Sequence, residues 1–151
     1  MPHSAAVLVS WLFRFLHIVS AVFFVGSVFY ARKVLVPVLN ALPDDARMSS
    51  AAAAQLRFRA MLWTVLILLV GSGVYQLLTG PPHTATYHAW FGVKMLLVAH
   101  ILATAILWGT SPYGDVAVAG KGKRRLASMV ISGVIVIAIS AWLRSMTFRG
   151  L

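Results

Sequence analysis

The sequence predicts an all-α fold: an up-down bundle of four transmembrane helices, built as a tandem repeat of two-helix units (helices 1-2 and 3-4). Three observations carry this. Hydrophobic residues fill 60% of 151 positions and charged residues 11%, too little polar surface to clothe a water-soluble domain. Four apolar runs reach the ~20 residues that a bilayer crossing needs. The cations gather between those runs, as the positive-inside bias requires. Length allows a single integral membrane domain spanning residues 1–151.

The first span is predicted over about 7–31, with Arg14 and His17 inside it. Its cations follow the apolar run, so it does not read as a cleaved signal peptide. The second is predicted over about 60–78 and the third over about 89–108, carrying Lys94 and His100. The fourth covers about 126–143. Each must be a helix, because an isolated span has to satisfy its backbone internally. The runs are continuous and not alternating, which excludes an outer-membrane barrel.

Between the first two spans, Pro43-Asp44-Asp45 reads as a turn that caps a helix. The Ala-rich stretch after Ser49 extends the second helix beyond the bilayer, with Arg57 and Arg59 at the headgroups. Gly80-Pro81-Pro82-His83 reads as a tight turn, and Ser111–Gly122 as a Gly-rich loop. Trp11, Tyr87 and Trp90 read as an aromatic belt at one surface, Trp108 and Tyr113 at the other. Gly71-Ser72-Gly73, Ser128 and Ser132 read as close-packing positions.

Orientation follows from the loops. Arg32, Lys33, Arg47, Arg57 and Arg59 precede the second span, and Lys121, Lys123, Arg124 and Arg125 precede the fourth. These two connections are expected to be cytoplasmic, with both termini outside, in a bacterial inner membrane. The net charge of +10 is thereby accounted for, and no nucleic-acid partner is expected. The lipid bilayer is the expected partner, with room for a homo-oligomer.

The first and third spans resemble each other. From His17 the chain reads HIVSAVFFVGSVFY and from His100 it reads HILATAILWGTSPY, with His, Gly and Tyr in register. A duplication would place His17 and His100 at one depth, near the bilayer middle, about a pseudo-twofold axis along the membrane normal. Ionisable residues there are costly and point to function. With no Cys in the chain and no carboxylate in any span, two imidazoles suit the two axial positions of haem b, with copper as the alternative metal. Scattered methionines such as Met61 and Met129 add little to the copper reading. Ser20 and Ala21 beside His17, and Ala103 and Thr104 beside His100, are small enough to admit a porphyrin plane. Arg14 and Lys94 are candidate partners of its propionates. A bis-His haem suits electron transfer with a quinone or a redox partner protein. No paired carboxylates, serine triad or phosphate loop supports hydrolytic or nucleotide chemistry. A purely structural subunit, its histidines bonded to neighbouring helices, is the plain rival.

The mid-span His17, Gly26 nine residues on, and the Tyr30-x-Arg32 exit resemble two related groups of bacterial membrane proteins, the CopD-like copper-resistance domain and the HemJ-type protoporphyrinogen oxidase. Arg57-Phe58-Arg59, Gly71-Ser72-Gly73 and Trp90-Phe91-Gly92-Val93-Lys94 add to the likeness. The resemblance implies haem b, His17 as its ligand, a functional Lys94 and oxidoreductase activity, or alternatively copper handling. Before the last helix this chain has Arg125-Leu126-Ala127-Ser128, where the HemJ pattern has Asn-Glu-x-Pro. The role of His100 rests on the internal repeat alone.

Overall fold

The computed structural model describes residues 2–79, 85–110 and 120–149, with side chains over 5–79, 85–110 and 122–145. The predicted turn at 80–83, most of the predicted loop at 111–122, and His3, Tyr113 and Lys121 as side chains lie outside that set. Among the described residues nearly all are helical and none is in a strand.

Helix α1 runs Pro2–Tyr30, followed by a π-helical turn at Ala31–Leu35 and the short α2 at Val36–Asn40. Then come α3 (Asp44–Thr79), α4 (Ala85–Gly109) and α5 (Gly120–Arg149). Four segments are long and apolar enough to cross a membrane: Ala5–Asn40, Asp44–Thr79, Ala85–Gly109 and Gly122–Ser145. That is the make-up of a multi-pass membrane protein. The first and second hold 36 residues each. At ~1.5 Å per residue, each is about 54 Å long and exceeds the ~30 Å hydrocarbon core.

The first connection shrinks to Ala41–Pro43, because helix continues through Arg32 and Lys33 to Asn40. Pro37 explains the π turn just before it. Its ring has no N–H to offer and would press on the carbonyl four residues back, so the helix widens there. The Val36 N–H bonds to the Ala31 carbonyl, five residues back. The buried stripe Phe24, Val28, Ala31 consequently resumes at Val36 and Leu39, one residue out of ordinary phase. Helix α3 begins as predicted: Asp44 and Asp45 occupy its first turn, where carboxylates favour the helix dipole. Asp44 also pairs with Arg47.

The most extensive packing is α1 against α3 and α4 against α5, and α1 also lies along α5. Two antiparallel hairpins joined through α1 and α5 are what a tandem two-helix repeat predicts. Lipid tails offer no hydrophobic drive for helices to associate, so close approach decides where they touch. At the α1–α5 crossing, a Cβ added to Gly133 would lie 2.8 Å from Val25 Cγ2.

Helices α3 and α4 meet at the end carrying Arg32, Lys33, Arg57, Arg59 and Lys123–Arg125, hereafter the basic end. Phe58 meets Trp108 edge-on at a 5.3 Å centroid separation. Arg59 donates to the Gly109 carbonyl at 3.3 Å and Arg125 to the Leu107 carbonyl at 3.0 Å. Two guanidiniums from neighbouring helices thus satisfy the orphan carbonyls that end α4. Arg59 is half-buried at this helix end. Trp108, expected at the interface, is 5% exposed and belongs to the core. Gly71 is not a close-packing position, since a Cβ there would meet nothing within 4 Å.

Candidate functional site

His17 lies on the inward stripe of α1 with Ser20, Phe24 and Val28. Its Nδ1 sits 3.0 Å from the Leu69 carbonyl oxygen and 3.1 Å from Ser72 Oγ. A carbonyl only accepts, so Nδ1 carries the proton and donates. Ser72 spends its own hydroxyl proton on Leu68 O at 2.6 Å, which leaves its oxygen as a second acceptor for that N–H. The tautomer is therefore set, and the lone pair resides on Nε2. A backbone carbonyl behind Nδ1 is also how metal-ligating imidazoles are commonly oriented.

Gly73 makes this seat possible. A Cβ at Gly73 would stand 3.1 Å from His17 Cε1 and 3.5 Å from Nδ1. The Gly71-Ser72-Gly73 triplet thus has three separate roles: Gly71 faces open space, Ser72 accepts from the imidazole, and Gly73 gives the ring room. Sequence reasoning read only packing here. A Ser-Gly pair on a span facing a mid-span histidine was the available signal.

Lys94 lies on the inward stripe of α4, in line with Val98, Ile101, Ala105 and Trp108. It is half-buried. The sequence has three acidic residues, Asp44, Asp45 and Asp115, none of them in an apolar span. Among the described residues Lys94 has no carboxylate partner.

His100 is seated differently. Its Nε2 and Ser128 Oγ on α5 form a 2.6 Å hydrogen bond, and its side chain is exposed. Each histidine thus bonds within its own hairpin. Their depths still agree with the repeat. Pairing of His17 with Ser72 and stacking of Phe13 on Tyr75 set the α1–α3 register, which puts Gly26 level with Leu62 and Trp63. Gly109 meets Trp63 and Arg59, so the two glycines, and the histidines nine residues before them, share about one level.

Of the small residues beside the histidines, Ser20 and Thr104 are buried by helix packing, and Thr104 Oγ1 donates to the His100 carbonyl at 2.7 Å. Ala21 is half-buried and Ala103 exposed, while Arg14 is exposed on the outside of α1. Among the described residues no three His, Cys, Asp or Glu side chains gather as a metal-binding group. Each imidazole already has hydrogen-bond partners within its own hairpin. A shared axial pair would require His100 to leave Ser128.

Comparisons with protein-family models, curated proteins and solved structures return no match.

Proposed function

We propose that this chain is an integral membrane haem b-binding protein of the electron-transfer type, with His17 as its first axial ligand. The observation that supports it is the Nδ1-protonated His17, held by Leu69 O and Ser72 Oγ, which leaves the lone pair on Nε2, while Lys94 lies on the inward stripe of α4. When bound, haem b supplies a one-electron couple. The chain's own contribution is to orient the imidazole and to offer an ammonium to a carboxylate in a span that has none. Lys94 and His17 are also the residues on which the HemJ-type resemblance chiefly rests. In the bis-His form of this reading, His100 supplies the second ligand after turning from Ser128. The same reading puts the basic end on the cytoplasmic side of a bacterial inner membrane, with a quinone or a redox protein as electron partner.

The test is a visible spectrum of protein purified from haem-replete cells. A low-spin b-type reduced spectrum is expected for wild type, absent in H17A, and high-spin in H100A if His100 is the second ligand. A folded but colourless wild type overturns the proposal.

One rival has a specific observation in its favour. Both histidines hydrogen-bond to a serine of the adjacent helix, which is what histidines serving only helix packing would do. In that case H17A and H100A leave colour and cofactor content unchanged and alter only thermal stability.

A further inference from the structure

Helices α3 and α4 touch at the basic end, where Phe58 meets Trp108 and where Arg59 and Trp63 meet Gly109. The extensive packing runs from α3 to α1, from α1 to α5 and from α5 to α4, so nothing comparable joins α3 to α4 along their length. Burial on the two facing stripes follows this geometry. Near the contact, Phe58, Leu62 and Leu66 on α3 and Trp108, Ala105 and Ile101 on α4 are buried. Farther from the basic end, Gly73 and Gln76 on α3 and Val98 and Lys94 on α4 are only half-buried. The gap between the helices is therefore a wedge that widens away from the basic end. Gly73 comes fifteen residues after Phe58 and Lys94 fourteen before Trp108. At ~3.6 residues per turn both counts are about four turns, so Gly73 and Lys94 return to the facing sides about 21–22 Å from the contact. The His17 imidazole lies against Gly73, at the same open part of the wedge.

From this we infer that the wedge between α3 and α4 is a side entrance from the bilayer, and that its occupant is a lipid-dissolved amphiphile whose carboxylate meets Lys94. An ammonium within a span is costly unless an anion joins it, and among the described residues no carboxylate pairs with this one. Charge complementarity thus selects the carboxylate, and the apolar walls select a lipid-soluble body. A haem propionate and a fatty-acid headgroup present the same anion. The inference rests on His17 and Lys94 forming the site, and goes beyond the haem reading in naming the route of entry and the anionic group.

The experiment closes the entrance. The chain has no native cysteine, so L69C/V98C, on the facing stripes about 15–16 Å from the Phe58–Trp108 contact, carries the only thiol pair. The purified full chain in lipid nanodiscs is titrated separately with haemin and with the fluorescent fatty acid dansylaminoundecanoic acid, in the reduced form, as the disulfide, and after reduction again. The disulfide should cut uptake of the fatty acid at least tenfold, and reduction should restore it. K94Q should weaken binding by about tenfold or more, as expected for one charge-assisted hydrogen bond, and the methyl ester of the probe should bind wild type no better than the acid binds K94Q. Uptake unchanged by the disulfide, or by both K94Q and esterification, overturns the inference. A second readout needs no cross-link: a nitroxide on V98C should admit oxygen more nearly as one on L96C, which faces lipid, than as one on buried I101C, and the reverse overturns the inference. Fatty-acid uptake that obeys the disulfide without any haemin uptake removes the haem reading and upholds the entrance, whereas haemin uptake that ignores the disulfide upholds haem and removes the entrance.

Discussion

Gly73 and Gly71 lie two positions apart and provide an internally controlled pair. G73A puts a methyl 3.1 Å from His17 Cε1, so the imidazole must give ground or lose its bond to Leu69 O. On the proposed haem reading, bound haem per protein should drop several-fold in G73A and stay at the wild-type level in G71A, where the new methyl meets nothing within 4 Å; pyridine haemochrome assay reads both. S72A is milder, because Nδ1–H keeps Leu69 O as an acceptor. A loss of about 1 kcal/mol or less is expected, measured by denaturant titration in detergent. Residue by residue, the sequence was legible where chemistry is rare: a mid-span His17 and a carboxylate-free interior stood out on reading. It was not legible where two side chains are equally apolar. Phe23 is 61% exposed and Phe24 2%, yet lipid and protein interior are the same solvent for both, so no hydropathy contrast marks the inner face.

For helices the same ambiguity moved the boundaries. The first span continues as helix beyond Arg32 and Lys33 to Asn40, because helix propensity does not stop at a headgroup and the next strong breaker is Pro43. The π turn before Pro37 was not foreseen, because the first span was read as ending near Ala31. Trp108 was misread because an aromatic residue at a span's end suits a belt and a core equally; its contact with Phe58 depends on a long-range approach. Helix crossings offer the sharpest test at this scale. G133A drives a Cβ to 2.8 Å from Val25 Cγ2, and overpacking of this kind costs roughly 1–3 kcal/mol. G26A and G92A, with nothing within 4 Å, should be neutral or up to about 1 kcal/mol stabilising through helix propensity. Unfolding by SDS, followed by circular dichroism, separates the two classes.

At the scale of the whole molecule, the four-helix plan and its two hairpins were readable from run lengths and from the His-Gly-Tyr register, since both depend on spacing alone. How the hairpins face one another was not, because contacts such as Phe58 against Trp108 and the Gly133 approach to Val25 are matters of helix rotation. Membrane sidedness is open to a clean test, as the chain has no native cysteine and any introduced one is unique. In inside-out vesicles, A41C should react with an impermeant maleimide and a cysteine added at the N-terminus should not; the opposite pattern would reverse the proposed orientation. The clustering of guanidinium and ammonium groups on one end has an effect beyond the protein's own boundary. With so few acidic residues to neutralise it, that end must draw a shell of anionic lipid around itself, at about 1 kcal/mol per basic residue near the surface. Native extracts should carry co-purifying phosphatidylglycerol or cardiolipin that raised salt strips away, as ions shorten the reach of the field.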